Sequence, residues 1–109
     1  MSLPVSIAGR AELDLTHQYR WYLDNAGVEV AERFLAAFDD TVARLAEQPE
    51  LGKRRRFQAR ELAGIRSLPA GGRFGRHLIF YRSGASALSI ERVMHGARDL
   101  PRRLLEPPG

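Results

Sequence analysis

Residues 76–95 decide the fold class of the chain, and their sequence is RHLIFYRSGASALSIERVMH. Apolar and β-branched residues fill two segments, Arg76–Arg82 and Ala87–His95, and the Ser-Gly pair between them is typical of a tight turn. These features predict two antiparallel strands. An earlier segment of the same character, Leu62–Leu68, is separated from them by a Gly-rich turn. The second half of the chain therefore predicts a three-stranded antiparallel meander.

The first half of the chain has helical periodicity instead. Apolar residues recur every three or four positions in two segments, Arg10–Asn25 and Val28–Gln48, and this spacing places them on one face of a helix. Because the connection between the segments is short, we expect an αα-hairpin. The residues predicted to be buried are Ala11, Leu15, Tyr19 and Tyr22 in the first helix, and Ala31, Phe34, Leu35, Phe38, Val42 and Leu45 in the second.

Two short elements complete the predicted architecture. Leu3–Ile7 is predicted to be an opening strand and Leu100–Leu105 a last short helix, capped by Asp99. We expect one α+β domain spanning residues 1–109, in which the helical hairpin packs on one face of a mainly antiparallel sheet of about four strands. The other face of the sheet is expected to be more open.

The composition limits the chemistry that is available. The chain has no cysteine, which excludes disulfides, a thiolate zinc site and a cysteine nucleophile. The N-terminus lacks the pattern of a signal peptide, and no apolar run approaches the roughly 20 residues of a membrane span. We therefore expect a cytoplasmic protein without metal or cofactor.

Charge divides the sequence into two halves. Residues 1–52 contain four Arg against nine Asp and Glu, a net charge of −5, whereas residues 53–109 contain thirteen Lys and Arg against four Asp and Glu, a net charge of +9. Such a field attracts acidic partners to one part of the surface. Direct DNA binding is not expected, because the second helix is rich in carboxylates and a recognition helix is not apparent.

Several local patterns occur in an order that resembles a known family. They are Ala11-x-x-Asp14-Leu15, Leu62-x-x-Ile65-Arg66, Arg76-x-x-Ile79-Phe80-Tyr81-Arg82 and Arg92-Val93-Met94-His95-Gly96-Ala97-Arg98-Asp99. Together they resemble the ParE branch of the RelE/ParE toxins, and the last pattern is the most specific. The resemblance implies the toxin of a type II toxin–antitoxin module, neutralised by a ParD-like antitoxin with an acidic C-terminal segment. ParE-like toxins generally act by inhibiting DNA gyrase.

The alternative implied by the same superfamily is a ribosome-dependent mRNA endonuclease of the RelE type. Such an enzyme needs a general base and acid, and cations that stabilise the transition state. The candidates here are His95, Arg66, Arg82 and Arg98. The set is incomplete in comparison with the nuclease branch, because no aromatic residue follows Tyr81. We expect His95 to be structural and to hydrogen-bond the backbone of the turn that follows it.

Candidate contact residues for the target or the antitoxin fall into two groups. The first is a run of basic residues in the predicted connector after the helices, comprising Lys53, Arg54, Arg55, Arg56, Arg60 and Arg66. The second is Trp21, because adjacent residues point about 100° apart around a helix and one stripe cannot bury Trp21, Tyr22 and Leu23 together. Trp21 either anchors an antitoxin helix or packs at the rim of the domain itself.

Four further charged residues are predicted to hold the fold together. Arg92 alternates with Leu88, Ile90 and Met94, which predicts that it lies on the inward face and needs a carboxylate partner. Asp14 on the first helix is the candidate partner. Arg98 and Asp99 are expected to form a local ion pair and cap at the foot of the last helix.

Overall fold

A computed structural model of the chain describes residues 2–96 and 98–108. In chain order its elements are β1 (Val5–Ile7), α1 (Gly9–Asn25), α2 (Val28–Glu47), β2 (Lys53–Arg54), a 3-10 turn (Arg60–Leu62), β3 (Arg66–Pro69), a second 3-10 turn (Gly72–Phe74), β4 (His77–Ser83), β5 (Leu88–His95) and α3 (Arg102–Leu105). Within the described residues, none of the helices has the length and apolar character needed to cross a bilayer.

The sheet has five strands in the order β1-β5-β4-β3-β2. β1 pairs with β5 in parallel, and the other pairs are antiparallel. The predicted α+β fold, with a helical hairpin on a mainly antiparallel sheet, is thus confirmed. The predicted strand count was one too low, because part of the expected connector, Lys53–Arg54, pairs with β3 as an edge strand.

The predicted strand Leu62–Leu68 was wrong in its first half. Arg60–Leu62 forms a 3-10 turn, and Gly64 has a φ of +79°, which breaks an extended chain and which residues other than glycine rarely adopt. The strand begins only at Arg66.

The main core lies between the hairpin and the sheet. Its fully buried centre contains Phe34 and Leu45 of α2, Ile79 and Tyr81 of β4, and Ile90 of β5. The opposite sheet face was expected to be open, and this was wrong. A second cluster covers it, formed by the segment before β3, the sheet and α3, with buried members Leu62, Ile65, Phe80, Met94 and Leu104.

A β-bulge between β4 and β5 changes which residues share a face. Tyr81 pairs with Ile90, but Phe80 pairs with Arg92, so one residue of β5 is extra. Beyond the bulge, Val93 belongs to the helix-side core and Met94 to the second cluster. The prediction that Arg92 lies on the same sheet face as Leu88 and Ile90 was therefore wrong. After a bulge, the residues of a strand point to the face opposite to the one that simple alternation predicts.

The buried face of α1 also differs from the predicted stripe. Ala11 and Asp14 are the buried residues of this helix, while Leu15, Tyr19 and Tyr22 are only partly buried. The buried face of α1 is rotated from the predicted one because Asp14 and Gln18 face the edge of β5. There they hydrogen-bond the backbone N–H and carbonyl of Val93. For α2, five of the six predicted residues are buried, and Leu35 is intermediate.

Candidate functional site

The Asp14 carboxylate and the Arg92 guanidinium form a buried, two-pronged ion pair. Arg92 Nε donates to Asp14 Oδ2 at 2.8 Å, and Arg92 Nη2 donates to Asp14 Oδ1 at 3.0 Å. Both side chains are less than a tenth exposed. The Asp14 carboxylate also accepts from the backbone N–H of Val93 at 2.9 Å. The pair thus joins α1 to the last strand of the sheet.

The third nitrogen of the Arg92 side chain, Nη1, holds the C-terminal segment. Arg92 Nη1 donates to the backbone oxygens of Leu104 at 3.0 Å, Glu106 at 2.6 Å and Arg103 at 3.2 Å. These are the carbonyls at the end of α3, which lack partners within the helix and favour a cation. One buried guanidinium therefore connects three parts of the fold.

Three side chains of α1, spaced four residues apart, line up along β5 and the start of β4. After Asp14, Gln18 Nε2 donates to Val93 O at 2.8 Å, and its Oε1 lies 2.8 Å from His77 Nδ1. The amide oxygen of Gln18 can only accept, so His77 Nδ1 carries the proton. His77 Nε2 then accepts from the Tyr22 hydroxyl at 2.8 Å. Asp14 and Gln18 thereby satisfy the free edge of β5 beyond the point where β1 ends.

His77 is buried and electrically neutral in this arrangement. Burial and, to a lesser extent, the neighbouring His95 ring, whose centroid is 4.8 Å away, together lower the pKa of His77 from 6.5 to about 4. Burial likewise raises the pKa of Tyr22, and Arg73 opposes this effect more weakly. Sequence reasoning missed His77, which stands in an apolar strand segment. The four-residue spacing of Asp14, Gln18 and Tyr22 was an available signal for a polar face.

A cavity of about 370 Å³ opens above this hydrogen-bonded chain. All three histidines of the protein reach it. Trp21 forms one wall and is 59% exposed; its ring meets that of Tyr22 edge to face at 5.4 Å. We call this cavity the histidine pocket. Its lining residues are His17, Gln18, Trp21, Tyr22, His77 and His95.

His95 lies at the mouth of the pocket and is exposed. That its side chain fixes the following turn stays a prediction; within residues 2–96 and 98–108, two other hydrogen bonds hold the backbone of this turn. Gly96 N–H donates to Arg76 O at 2.8 Å, and Arg103 Nη2 donates to His95 O at 3.0 Å. Gly96 has a φ of +83°, which explains why a glycine follows the strand.

The structure separates the residues proposed for a nuclease. His95 pairs with His77 at the first residue of β4, whereas Arg82 lies five positions further along that strand and Arg66 pairs with the neighbouring Tyr81. At roughly 3.3 Å per residue this places His95 about 17 Å from the two arginines. Arg98 is exposed beyond the end of β5.

Both of these arginines are also engaged by the protein itself. Arg66 Nη1 donates to Gly52 O at 2.8 Å. Arg82 forms an ion pair with Glu91 at 2.9 Å and donates to Ala63 O and Glu61 O. These guanidiniums hold the loops around β3 through backbone carbonyls and one carboxylate.

The basic residues after α2 divide into anchored and exposed ones. Arg55 donates to Ser67 Oγ at 3.1 Å and lies over the rings of Phe57 and Phe80 at 5.3 and 5.7 Å, so it stabilises the second cluster. Four others are exposed on and beside the edge strand β2. We call this group the basic edge, and its members are Lys53, Arg54, Arg56 and Arg60.

Tyr81 holds the start of the basic edge in place. Its hydroxyl accepts from Gly52 N–H and donates to Pro49 O, both at 2.8 Å. A Cβ at position 52 would lie 2.3 Å from the Tyr81 hydroxyl oxygen, so only glycine fits there. Burial raises the pKa of Tyr81, which keeps the donor proton on the hydroxyl.

The expected pairing of Arg98 with Asp99 is not the one that forms. Asp99 pairs with Arg102 at 3.1 Å, and both side chains are largely exposed. Asp99 does not cap α3 with its side chain, since Pro101 occupies the N-cap position. The chain reverses here through Asp99, whose φ of +56° is tolerated by aspartate.

Known proteins resemble this chain along almost its whole length. A family model described as "ParE toxin of type II toxin-antitoxin system, parDE" matches residues 5–100. Toxin ParE1 of Mycobacterium tuberculosis, in strains H37Rv and CDC 1551, is 30% identical over 106 residues, which cover 95% of this chain and 100% of the relative.

Solved structures show the same fold at lower sequence identity. A chain of the chromosomal ParDE toxin–antitoxin system from P. aeruginosa superposes with a TM-score of 0.71 at 20% identity, covering 88% of this chain and 98% of that one. The YoeB dimer from Staphylococcus aureus gives a TM-score of 0.56 at 13% identity, covering 89% and 100%. From the family match and the mycobacterial relatives, the chain belongs to the ParE toxin family of type II toxin–antitoxin systems.

Proposed function

We propose that this ParE-family toxin inhibits DNA gyrase by binding it, without catalysing a reaction, and that a ParD-like antitoxin neutralises it. Family membership supports the gyrase target, because ParE-like toxins generally inhibit gyrase. The P. aeruginosa structure is described as a ParDE toxin–antitoxin system, which supports an antitoxin partner. A cytoplasmic location belongs to this proposal, since gyrase and its DNA are found there.

The separation of the nuclease candidates carries the non-enzymatic part of the proposal. His95 stands at one end of β5, and Arg66 and Arg82 stand near the other. Cleavage of RNA through its own 2′-hydroxyl needs base, acid and cations around one phosphate. Because the two arginines hold backbone carbonyls, binding is the better account of the activity.

The basic edge is the proposed contact surface for gyrase and its DNA. It carries four exposed cations on one rim of the sheet, where β2 is the outermost of the strands that the structure describes. Lysine and arginine on an edge strand also prevent pairing between copies of the chain. Contacts of this exposed kind mainly raise the association rate, and salt screens them.

A supercoiling assay tests the proposal. The chain, freed of its antitoxin and refolded, is added to gyrase, relaxed plasmid and ATP. We expect concentration-dependent loss of supercoiling, and recovery when the antitoxin encoded in the adjacent reading frame is added in equal amount. Full supercoiling in the presence of a folded chain would overturn the gyrase target.

A further inference from the structure

Among the residues that the structure describes, the polar side chains on the floor of the histidine pocket are hydrogen-bonded to one another and to the backbone of β5. Gln18 is occupied by Val93 O and His77, and both ring nitrogens of His77 are occupied by Gln18 and Tyr22. A small polar ligand needs convergent free donors and acceptors for its orientation. The pocket therefore suits an apolar side chain, which needs only a complementary shape and apolar walls.

Aromatic rings form those walls. Trp21 is exposed over more than half of its surface, although its neighbour Tyr22 packs on Phe34 at 5.3 Å and on Phe74 at 5.5 Å. The pocket is thus rigid beneath and open at Trp21. The few residues that dominate the binding energy between two proteins typically lie in such pockets, where aromatic side chains pack well and water is excluded on binding.

The rim of the pocket is positively charged. Arg73 is close enough to Tyr22 to lower the pKa of that hydroxyl, against the larger raising effect of burial. Arg76 immediately precedes His77, and its carbonyl oxygen accepts from Gly96 beside His95. The side chains of Arg73, Arg76 and Arg98 are all exposed.

Most carboxylates at this end of the molecule are already paired. Asp14 is bound to Arg92, and Asp99 to Arg102, while Asp24 is an exposed carboxylate on the same helix as Trp21. The exposed charge around the pocket is therefore mainly cationic. A partner with carboxylates on either side of an apolar residue complements both the walls and the rim.

We infer that the histidine pocket receives an apolar side chain from an acidic segment of the antitoxin. This inference rests on the proposed function, because it assigns the neutralising partner to one surface. The pocket lies between α1, β4 and β5, whereas the basic edge is at the opposite rim of the sheet. A preformed aromatic pocket supplies the affinity that stable neutralisation needs, whereas exposed cations chiefly raise the rate at which a charged partner associates.

The test compares Trp21→Ala with Val28→Ala in a titration against the antitoxin encoded in the adjacent reading frame. Val28 is 58% exposed, close to the 59% of Trp21, and lies outside the pocket lining. We expect Trp21→Ala to weaken antitoxin binding by at least about tenfold. Val28→Ala should bind as the unmodified chain does, and Trp21→Phe should retain most of the affinity.

A charge reversal tests the rim independently. Arg76→Glu should weaken antitoxin binding, with a larger effect at low salt. Arg33→Glu, a reversal at another exposed arginine, on α2 and outside the pocket lining, should not. Circular dichroism of each variant establishes that it is folded before binding is compared.

Gyrase inhibition by the antitoxin-free variants separates the two proposals. We expect Trp21→Ala to inhibit supercoiling as the unmodified chain does. Unchanged antitoxin affinity in folded Trp21→Ala would overturn the pocket assignment, and so would loss of gyrase inhibition with antitoxin binding intact, which would place the target in the pocket. If the unmodified chain does not inhibit gyrase, the proposed target fails, while the antitoxin titration still decides the pocket.

Discussion

Lowering the pH from 7 to 5 should destabilise the protein through His77. In the folded chain its pKa is lowered from 6.5 to about 4, first by burial and then by His95. Protonation would also place a hydrogen on Nε2, the atom that accepts from Tyr22. In the unfolded chain the same ring takes up its proton near pH 6.5. The unfolded state therefore gains protons first as the pH falls.

The sign and size of the effect follow from this difference. Stability rises with pH wherever the unfolded state binds more protons, so the His77 contribution is flat above about pH 7 and falls between the two pKa values. Between pH 7 and pH 5 the unfolded state becomes almost fully protonated at this ring while the folded state stays neutral. At about 1.4 kcal/mol per pH unit, the free energy of unfolding should drop by about 2 kcal/mol.

Urea unfolding at the two pH values, followed by circular dichroism, measures this drop. The variant His77→Phe keeps a ring in the site but cannot titrate. It should be less stable at pH 7, because Tyr22 and Gln18 lose their partner, and its stability should depend less on pH by about 2 kcal/mol. His17→Phe, at an exposed histidine, should retain the full dependence. Equal pH dependence of the unmodified chain and His77→Phe would refute the reasoning.

Three further predictions concern the buried ion pair, the contact between Gly52 and Tyr81, and the basic edge. Asp14→Ala leaves a buried guanidinium without its carboxylate and should cost about 3–5 kcal/mol in urea unfolding; a loss below about 1 kcal/mol would contradict the role of this pair. Gly52→Ala places a Cβ against the Tyr81 hydroxyl and should cost about 1–3 kcal/mol. Gly75→Ala, whose Cβ meets nothing within 4 Å, is its control and should be near neutral. Arg54→Glu with Arg56→Glu should raise the toxin concentration needed for half-maximal gyrase inhibition, with a smaller difference at high salt; equal inhibition at low salt would remove the basic edge from the target contact.

Most of the fold could be predicted because local patterns encode it. The periods of α2 and of the β4–β5 hairpin identify a helix and two strands without any knowledge of their partners. The edge strand β2 could not be predicted in this way, since two basic residues carry no strand pattern and pair only because β3 is beside them. The bulge opposite Phe80 is equally invisible, because the side-chain alternation looks continuous across it.

The candidate site was predictable only in part. An exposed Trp21 followed from helix geometry alone. The role of His77 depends on Gln18 and Tyr22, which lie 59 and 55 positions away in the sequence, so no local pattern contains it. Arg66 and Arg82 were nuclease candidates by residue type, and only the three-dimensional contacts show that both guanidiniums donate to backbone carbonyls.

The most direct measurement of the central claim adds one preparation of the antitoxin-free chain to each of the two candidate targets. It is added to gyrase with relaxed plasmid and ATP, and in parallel to translating ribosomes with a defined mRNA. We predict loss of supercoiling with intact mRNA, and the same result for His95→Ala. Cleaved mRNA with unaffected gyrase, and a loss of about 10² or more in cleavage rate for His95→Ala, would contradict the account and place His95 in a catalytic site.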